Sequence, residues 1–122
     1  EIILLVDDEE ALREVTELQL TELGYVVLTA ASGDEALEIL ESGVKFDLLF
    51  TDVVMPGRLD GYELAISAHQ QKPDLKILLT SGYTYKENEK LSDNNEYLSK
   101  LLAKPYSQLE LSLAIHRTLN TD

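Results

Sequence analysis

Five side chains in this sequence are of the kinds that handle phosphoryl groups or hard metal ions, and each closes an apolar run. Asp7 and Asp8 follow "IILLV", Asp52 follows "DLLFT", Thr80 ends "KILLT", and Lys104 follows "LLA" just before Pro105. The first run is the oddest, because it ends in four consecutive carboxylates, Asp7 to Glu10. Like charges repel, and the edge of a low-dielectric core makes that repulsion more costly, so the cluster asks for a cation. Three aspartates without soft ligands suit Mg2+, with Mn2+ as an alternative; such an ion keeps several waters and leaves positions open for phosphoryl oxygens. A carboxylate beside it can act as a nucleophile and form an aspartyl phosphate. The Thr80 hydroxyl and the Lys104 ammonium would take the remaining phosphoryl oxygens.

Taken singly, each residue has a plainer reading. Asp7 and Asp8 suit the start of a helix, where acids complement the dipole. Asp52 suits a turn ahead of Pro56 and Gly57, Thr80-Ser81-Gly82 a polar turn, and Lys104 a solvated surface. Only the ordered set points to one pocket. His69 and His116 fall in helical stretches at spacings that match no partner, so they read as surface or packing residues.

For the set to meet, the chain must bring distant strand ends together. Strand-like runs at 2–6, 25–30, 47–51, 76–80 and, more weakly, 97–103 alternate with helix-like runs. Three of the strands are nearly continuous in apolar residues, the pattern of strands covered on both faces. Ser32 with Glu35, Asp60 with Glu63 and Ser107 with Glu110 have capping-box spacing. In the first helix Leu12, Val15, Leu20 and Leu23 recur at helical spacing, with Gly24 as the stop. In the last, Leu109, Leu113 and His116 together with Leu111, Ile115 and Leu119 give a broad apolar face. The alternation predicts an α/β fold, a parallel sheet with helices on both faces. In such sheets ligands sit beyond the carboxyl ends of the strands. If the first and third strands are neighbours, Asp7, Asp8 and Asp52 converge. The stretch at 83–97 is polar, and a helix there is expected to be short or irregular.

Composition narrows the function further. At 122 residues the chain is one domain, spanning 1–122, with enough length for a core without disulfides. The absence of cysteine excludes thiolate metal sites and thiol nucleophiles. A net charge of −13 repels phosphate backbones, so direct nucleic-acid binding is not expected. No apolar run is long enough for a membrane span, and no signal peptide opens the chain. A cytoplasmic domain without membrane contact is therefore expected. Starting on an apolar strand without Met suggests a piece excised from a longer multidomain protein.

The segments "VDDEEALREV", "DLLFTDVVMPG", "GYELA", "KILLTSG" and "LLAKPYS" together resemble the receiver domain of two-component response regulators, over essentially the whole chain. The resemblance implies a flavodoxin-like five-stranded sheet of order 2-1-3-4-5. It implies that Asp52 is the phosphoacceptor, served by a histidine kinase or histidine phosphotransfer domain, in cis or in trans. By the same resemblance Asp8 and Asp52 ligate Mg2+ directly, Asp7 mainly through water and Val54 through its backbone carbonyl. Thr80 becomes the switch hydroxyl, Lys104 the partner of the phosphoryl group, and Lys104–Pro105 a candidate cis bond. Such a domain supports its own phosphorylation and dephosphorylation and is not otherwise an enzyme.

The sequence departs from the family pattern at three places. Leu101 stands three residues before the lysine, where an aromatic switch residue is common. "MPGRLDG" carries one residue more than the usual loop, around Gly57 and Arg58. The polar 83–97 stretch weakens a face through which many receivers signal. With "LLTSGYT" and "LLAKPYS", these features most resemble receivers attached to hybrid sensor histidine kinases; a separate response regulator is the alternative parent. A different class, a Mg-dependent phosphohydrolase with an Asp nucleophile, commonly carries a second carboxylate two residues later. Here that position is Val54, which cannot move a proton.

Overall fold

The computed structural model describes residues 1–55, 59–81 and 101–120. Strands β1 (Ile2–Val6), β2 (Val26–Ala30), β3 (Leu48–Asp52), β4 (Lys76–Ser81) and β5 (Leu102–Ala103) form one parallel sheet. Its order is β2-β1-β3-β4-β5. The described helices are α1 (Glu10–Glu22), α2 (Gly33–Glu41), α3 (Gly61–Gln71) and α4 (Gln108–Leu119). This is the doubly wound flavodoxin-like architecture expected from the alternation and the resemblance.

Strand side chains alternate between faces with period two, and that alternation divides the core into two layers. Ile3, Leu5, Leu48, Phe50 and Leu78 pack with Leu20 of α1 and with Leu111 and Ile115 of α4. Leu4, Val6 and Leu49 pack on the opposite face with Ala36 and Leu40 of α2 and Leu64 and Ala68 of α3. Burying each large apolar side chain contributes about 1.5–3 kcal/mol, so the continuous apolar runs fix the sheet between two helical layers.

The helix starts largely follow the spacing signals. Asp60 with Glu63 and Ser107 with Glu110 form reciprocal capping boxes. At α2 the box is half made: Ser32 accepts the Glu35 N–H at 3.1 Å, while the Glu35 carboxylate takes the Ala31 N–H at 2.7 Å. Gly24 follows α1 at φ +100°, a left-handed conformation that suits glycine.

Several boundaries and faces differ from expectation. β2 begins at Val26, because the Tyr25 N–H bonds back to the Leu20 carbonyl and closes the turn. β3 begins at Leu48, with the Asp47 carboxylate accepting the Ile2 N–H at 2.8 Å just ahead of it. The described part of β5 is two residues long. On α1, Val15 is 53% exposed, and the buried position beside it is taken by Thr16, one turn before Leu20. Tyr106 supplies the hydroxyl of Thr16 with a partner, which lets a polar residue occupy that place. On α4 the broad apolar face divides: Leu111 and Ile115 enter the core, while Leu109 and Leu113 face outward. The helix expected at 83–97 and the loop around Gly57 and Arg58 lie outside the described residues. Among the described residues no helix is long and apolar enough to cross a membrane.

Candidate functional site

The alternation that builds the α1/α4 layer also builds the pocket. Asp7 continues the set Ile3 and Leu5, Asp52 continues Leu48 and Phe50, Thr80 continues Leu78, and Lys104 continues Leu102. In a parallel sheet all strands end at the same edge, so these four positions share one face and one end. One carboxylate oxygen from each of Asp7, Asp8 and Asp52 lies within 4.8 Å of the others. Asp7 and Asp52 are buried, at 3% and 7% exposure, while Asp8 stands at the open rim. The Lys104 ammonium donates to Asp52 Oδ2 at 2.8 Å and lies 3.5 Å from Asp7 Oδ2.

Backbone contacts hold this cluster in place. Asp7 Oδ1 accepts the Glu9 N–H at 3.0 Å, and Arg13 Nη1 donates to the Asp7 carbonyl at 2.7 Å. Asp52 Oδ1 accepts the Val54 N–H at 3.3 Å. Val54 itself is exposed at the lip of the pocket. The Lys104 N–H donates to the Ser81 carbonyl at 2.8 Å, and the Lys104–Pro105 peptide bond is cis. Thr80 lies in register with Asp52, but its hydroxyl donates to the Leu102 carbonyl at 2.6 Å. The hydroxyl therefore ties β4 to β5 rather than bonding to the acids. Leu101, in place of an aromatic, packs half-buried against Val53, Ala65 and Leu79.

Burial raises the Asp52 carboxyl above its usual range; the bonds from Lys104 and Val54 pull it back, and the Asp7 charge pushes it up again. For Lys104, burial alone would lower the ammonium, but Asp52 and Asp7 outweigh it and raise the group, which stays charged. Three carboxylates thus crowd a partly buried end of the core, and two of them, Asp7 and Asp52, share the Lys104 ammonium. Their hard oxygen donors and excess negative charge fit Mg2+ or Mn2+.

The structure brings Asp7, Asp8, Asp52 and Lys104 into one cluster and places Thr80 on the strand beside it. His69 and His116 lie on the outer surfaces of α3 and α4. Three contributors were not singled out from the sequence. Arg13, a cation six residues after Asp7 within an acidic run, braces the Asp7 carbonyl. Gly61 donates its N–H to the Val53 carbonyl, and a Cβ there would strike the carbonyl oxygen of Asp52 and come within 2.9 Å of Val53 Cα. A glycine in the first turn of a helix, where most residues serve better, is the signal for that close approach. Tyr106, two residues after the lysine, reaches across to Thr16.

A doubly wound sheet with an acid trio and a lysine at the switch point between β1 and β3 defines a class of α/β domain that holds a cation and an anionic group side by side. Within that class the chain belongs to the response regulator receiver domain family, whose pattern matches residues 3–116. It is 38% identical over 120 residues to the sensor kinase CckA of Brucella abortus (strain 2308), covering 96% of this chain and 12% of that protein. It is 36% identical over 117 residues to the response regulator receiver protein CpdR of the same organism, covering 96% of this chain and 95% of that one. The crystal structure of the receiver domain from the hybrid histidine kinase CckA superposes with a TM-score of 0.77 at 32% identity, covering 98% of this chain and all of that one. The chain spans less than half the length of the first curated relatives it matches. It is a receiver domain of two-component signalling.

Proposed function

We propose that Asp52 accepts a phosphoryl group from the phosphohistidine of a histidine kinase or histidine phosphotransfer domain, in cis or in trans. The P–N bond of the donor breaks as a P–O bond to the Asp52 carboxylate forms, and the departing imidazole takes a proton from solvent. Lys104 favours the ionised, nucleophilic form of Asp52 that burial opposes. Asp7, Asp8, Asp52 and the Val54 backbone carbonyl would hold Mg2+ or Mn2+, which when bound offsets the charge of the phosphoryl oxygens. Lys104, already placed between Asp52 and Asp7, takes one of those oxygens.

Phosphorylation adds about two negative charges at Asp52. The Thr80 hydroxyl then leaves the Leu102 carbonyl to donate to the new group, which releases a side-chain tie between β4 and β5. Leu101 offers no aromatic ring to swing, so the change travels through the backbone of the strand ends. The extension of that change over residues 82–90 lies outside the described residues.

The likeness to CckA supports a hybrid sensor histidine kinase as the parent, with a cytoplasmic receiver. The likeness to CpdR over nearly its whole length supports the alternative of a separate response regulator. Against a phosphohydrolase stands Val54, which places an aliphatic side chain two residues after Asp52.

The observation that carries the reading is the buried Asp52, bonded to Lys104 inside a three-acid cluster. Incubation with acetyl phosphate and Mg2+, followed by intact mass, should show a gain of one phosphoryl group that Asp52→Ala abolishes. Steady multiple turnover of p-nitrophenyl phosphate, without a phosphorylated protein species, would favour the hydrolase instead.

A further inference from the structure

We infer that Tyr106 is a positioning residue for phosphoryl transfer, its hydroxyl fastening the loop that carries Lys104 to helix α1. This rests on the reading of Asp52 as the phosphoacceptor. Lys104 has a long, flexible side chain and follows a strand that, among the described residues, makes two register pairs, Thr80 with Leu102 and Ser81 with Ala103. On that side a single backbone bond, to the Ser81 carbonyl, fixes its own N–H. On the other side, two residues on, Tyr106 enters the core. Its ring meets Phe50 at a centroid distance of 6.3 Å and a tilt of 51°, and its hydroxyl lies 3.1 Å from Thr16 Oγ1.

Thr16 is 1% exposed, so its hydroxyl is shielded from water and gains a partner in Tyr106. Burial raises the Tyr106 phenol above its usual range, which keeps it neutral and able to donate or accept. Helix α1 is itself fastened to the pocket, through the Glu9 N–H on Asp7 Oδ1 and Arg13 on the Asp7 carbonyl. The contacts close a circuit from Asp7 through α1, Thr16 and Tyr106 to Lys104, and from Lys104 back to Asp52 and Asp7. Opening it at Tyr106 removes a buried side-chain bond between α1 and the residues just after Lys104, while the ring and its packing remain, as does the longer contact of 3.4 Å from Gln108 Nε2 to Glu22 Oε1 at the far end of α1.

The test compares wild type, Tyr106→Phe, Thr16→Val, their double variant, Lys104→Ala, and Tyr106→Phe in the Lys104→Ala background. Phosphorylation by acetyl phosphate is followed by intact mass, Mg2+ affinity by calorimetry and folding by circular dichroism. Each single hydroxyl deletion should slow phosphorylation about 3–10-fold, since small misplacements of a reacting group carry losses of that order or more. Mg2+ affinity should stay within about twofold, because the acids and not the lysine hold the ion. The double variant should be no slower than the slower single, and Tyr106→Phe should cause no further loss once Lys104 is absent. Unchanged rates, multiplying losses in the double variant, or an equal loss in the Lys104→Ala background would overturn the inference. So would a loss that matches the unfolded fraction in the melting curves of both single variants. If wild type takes up no phosphoryl group at all, the reading of Asp52 fails instead.

Discussion

Replacing Asp52 by Asn should stabilise the metal-free domain. The balance of charges can be followed from the geometry. Lys104 at 2.8 Å attracts an ionised Asp52 by about 6 kcal/mol at an effective dielectric of about 20. Asp7, buried and with an oxygen within 4.8 Å, opposes by at least about 3.5 kcal/mol, and the exposed Asp8 adds a smaller, solvent-screened share. What remains must offset the desolvation of a carboxylate that is 7% exposed, several kcal/mol in itself. Burial wins, which is why the carboxyl sits above its usual range. An amide keeps the shape and can still accept from Lys104, but it sheds the charge. A gain of about 1–3 kcal/mol is expected, equivalent to about 4–12 °C in melting temperature for a domain of this size. Because the folded-state pKa is raised, the protonated form is the better folded one. The handicap of wild type is absent below the unfolded pKa of Asp and grows as pH rises through the folded pKa. Thermal and urea unfolding by circular dichroism, at pH 4 and 7.5 in EDTA, should show the gap widening at the higher pH. Adding Mg2+ at about 1,000 times its Kd should raise wild type by about 4.1 kcal/mol and reverse the order. If Asp52→Asn proves less stable than wild type in EDTA at neutral pH, the Lys104 pair outweighs burial and the picture of a pocket strained for want of a cation is wrong.

Two further outcomes follow from single contacts. Gly61→Ala drives a methyl group into the Asp52 carbonyl, so it should destabilise the domain by about 1–3 kcal/mol, seen as a lower urea midpoint, and slow phosphorylation by acetyl phosphate. Thr80→Val leaves the Leu102 carbonyl without its 2.6 Å donor and should cost about 1 kcal/mol. The same variant should still gain a phosphoryl group, while the phosphorylation-linked change in amide exchange at Leu102 and Lys104 disappears.

What was legible in the sequence was what repeats or punctuates. Continuous apolar runs in β1, β3 and β4 marked buried parallel strands, and the capping pairs marked three of the four described helix starts. The strand-end positions of the acids, Thr80 and Lys104 were legible too, because parallel strands end together. What escaped was set by tertiary contacts. Periodicity alone could not tell Val15 from Thr16 as the inward residue of α1, since a polar side chain goes inside only if something distant bonds to it. That partner, Tyr106, is ninety residues away. The direction of the Thr80 hydroxyl was equally hidden, because it depends on the neighbouring strand's carbonyl and not on local sequence.

The pocket's chemistry depends on register as much as on residue type. Asp52 and Lys104 meet because each is an even step along its strand from a side chain in the α1/α4 layer, Phe50 and Leu102. A slip of one residue in either strand would turn its charged end toward α2 and α3, where Leu4, Leu49 and Leu64 form an apolar layer with no counter-charge among them. The cost of burying an unpaired charge there exceeds any single apolar contact in the layer, so the acids and the lysine select the register they need. The same charges then leave the pocket short of positive charge. On the proposed reading a bound cation would therefore stabilise the folded domain, and a phosphoryl group arriving at Asp52 would meet a site where Lys104 is already in place.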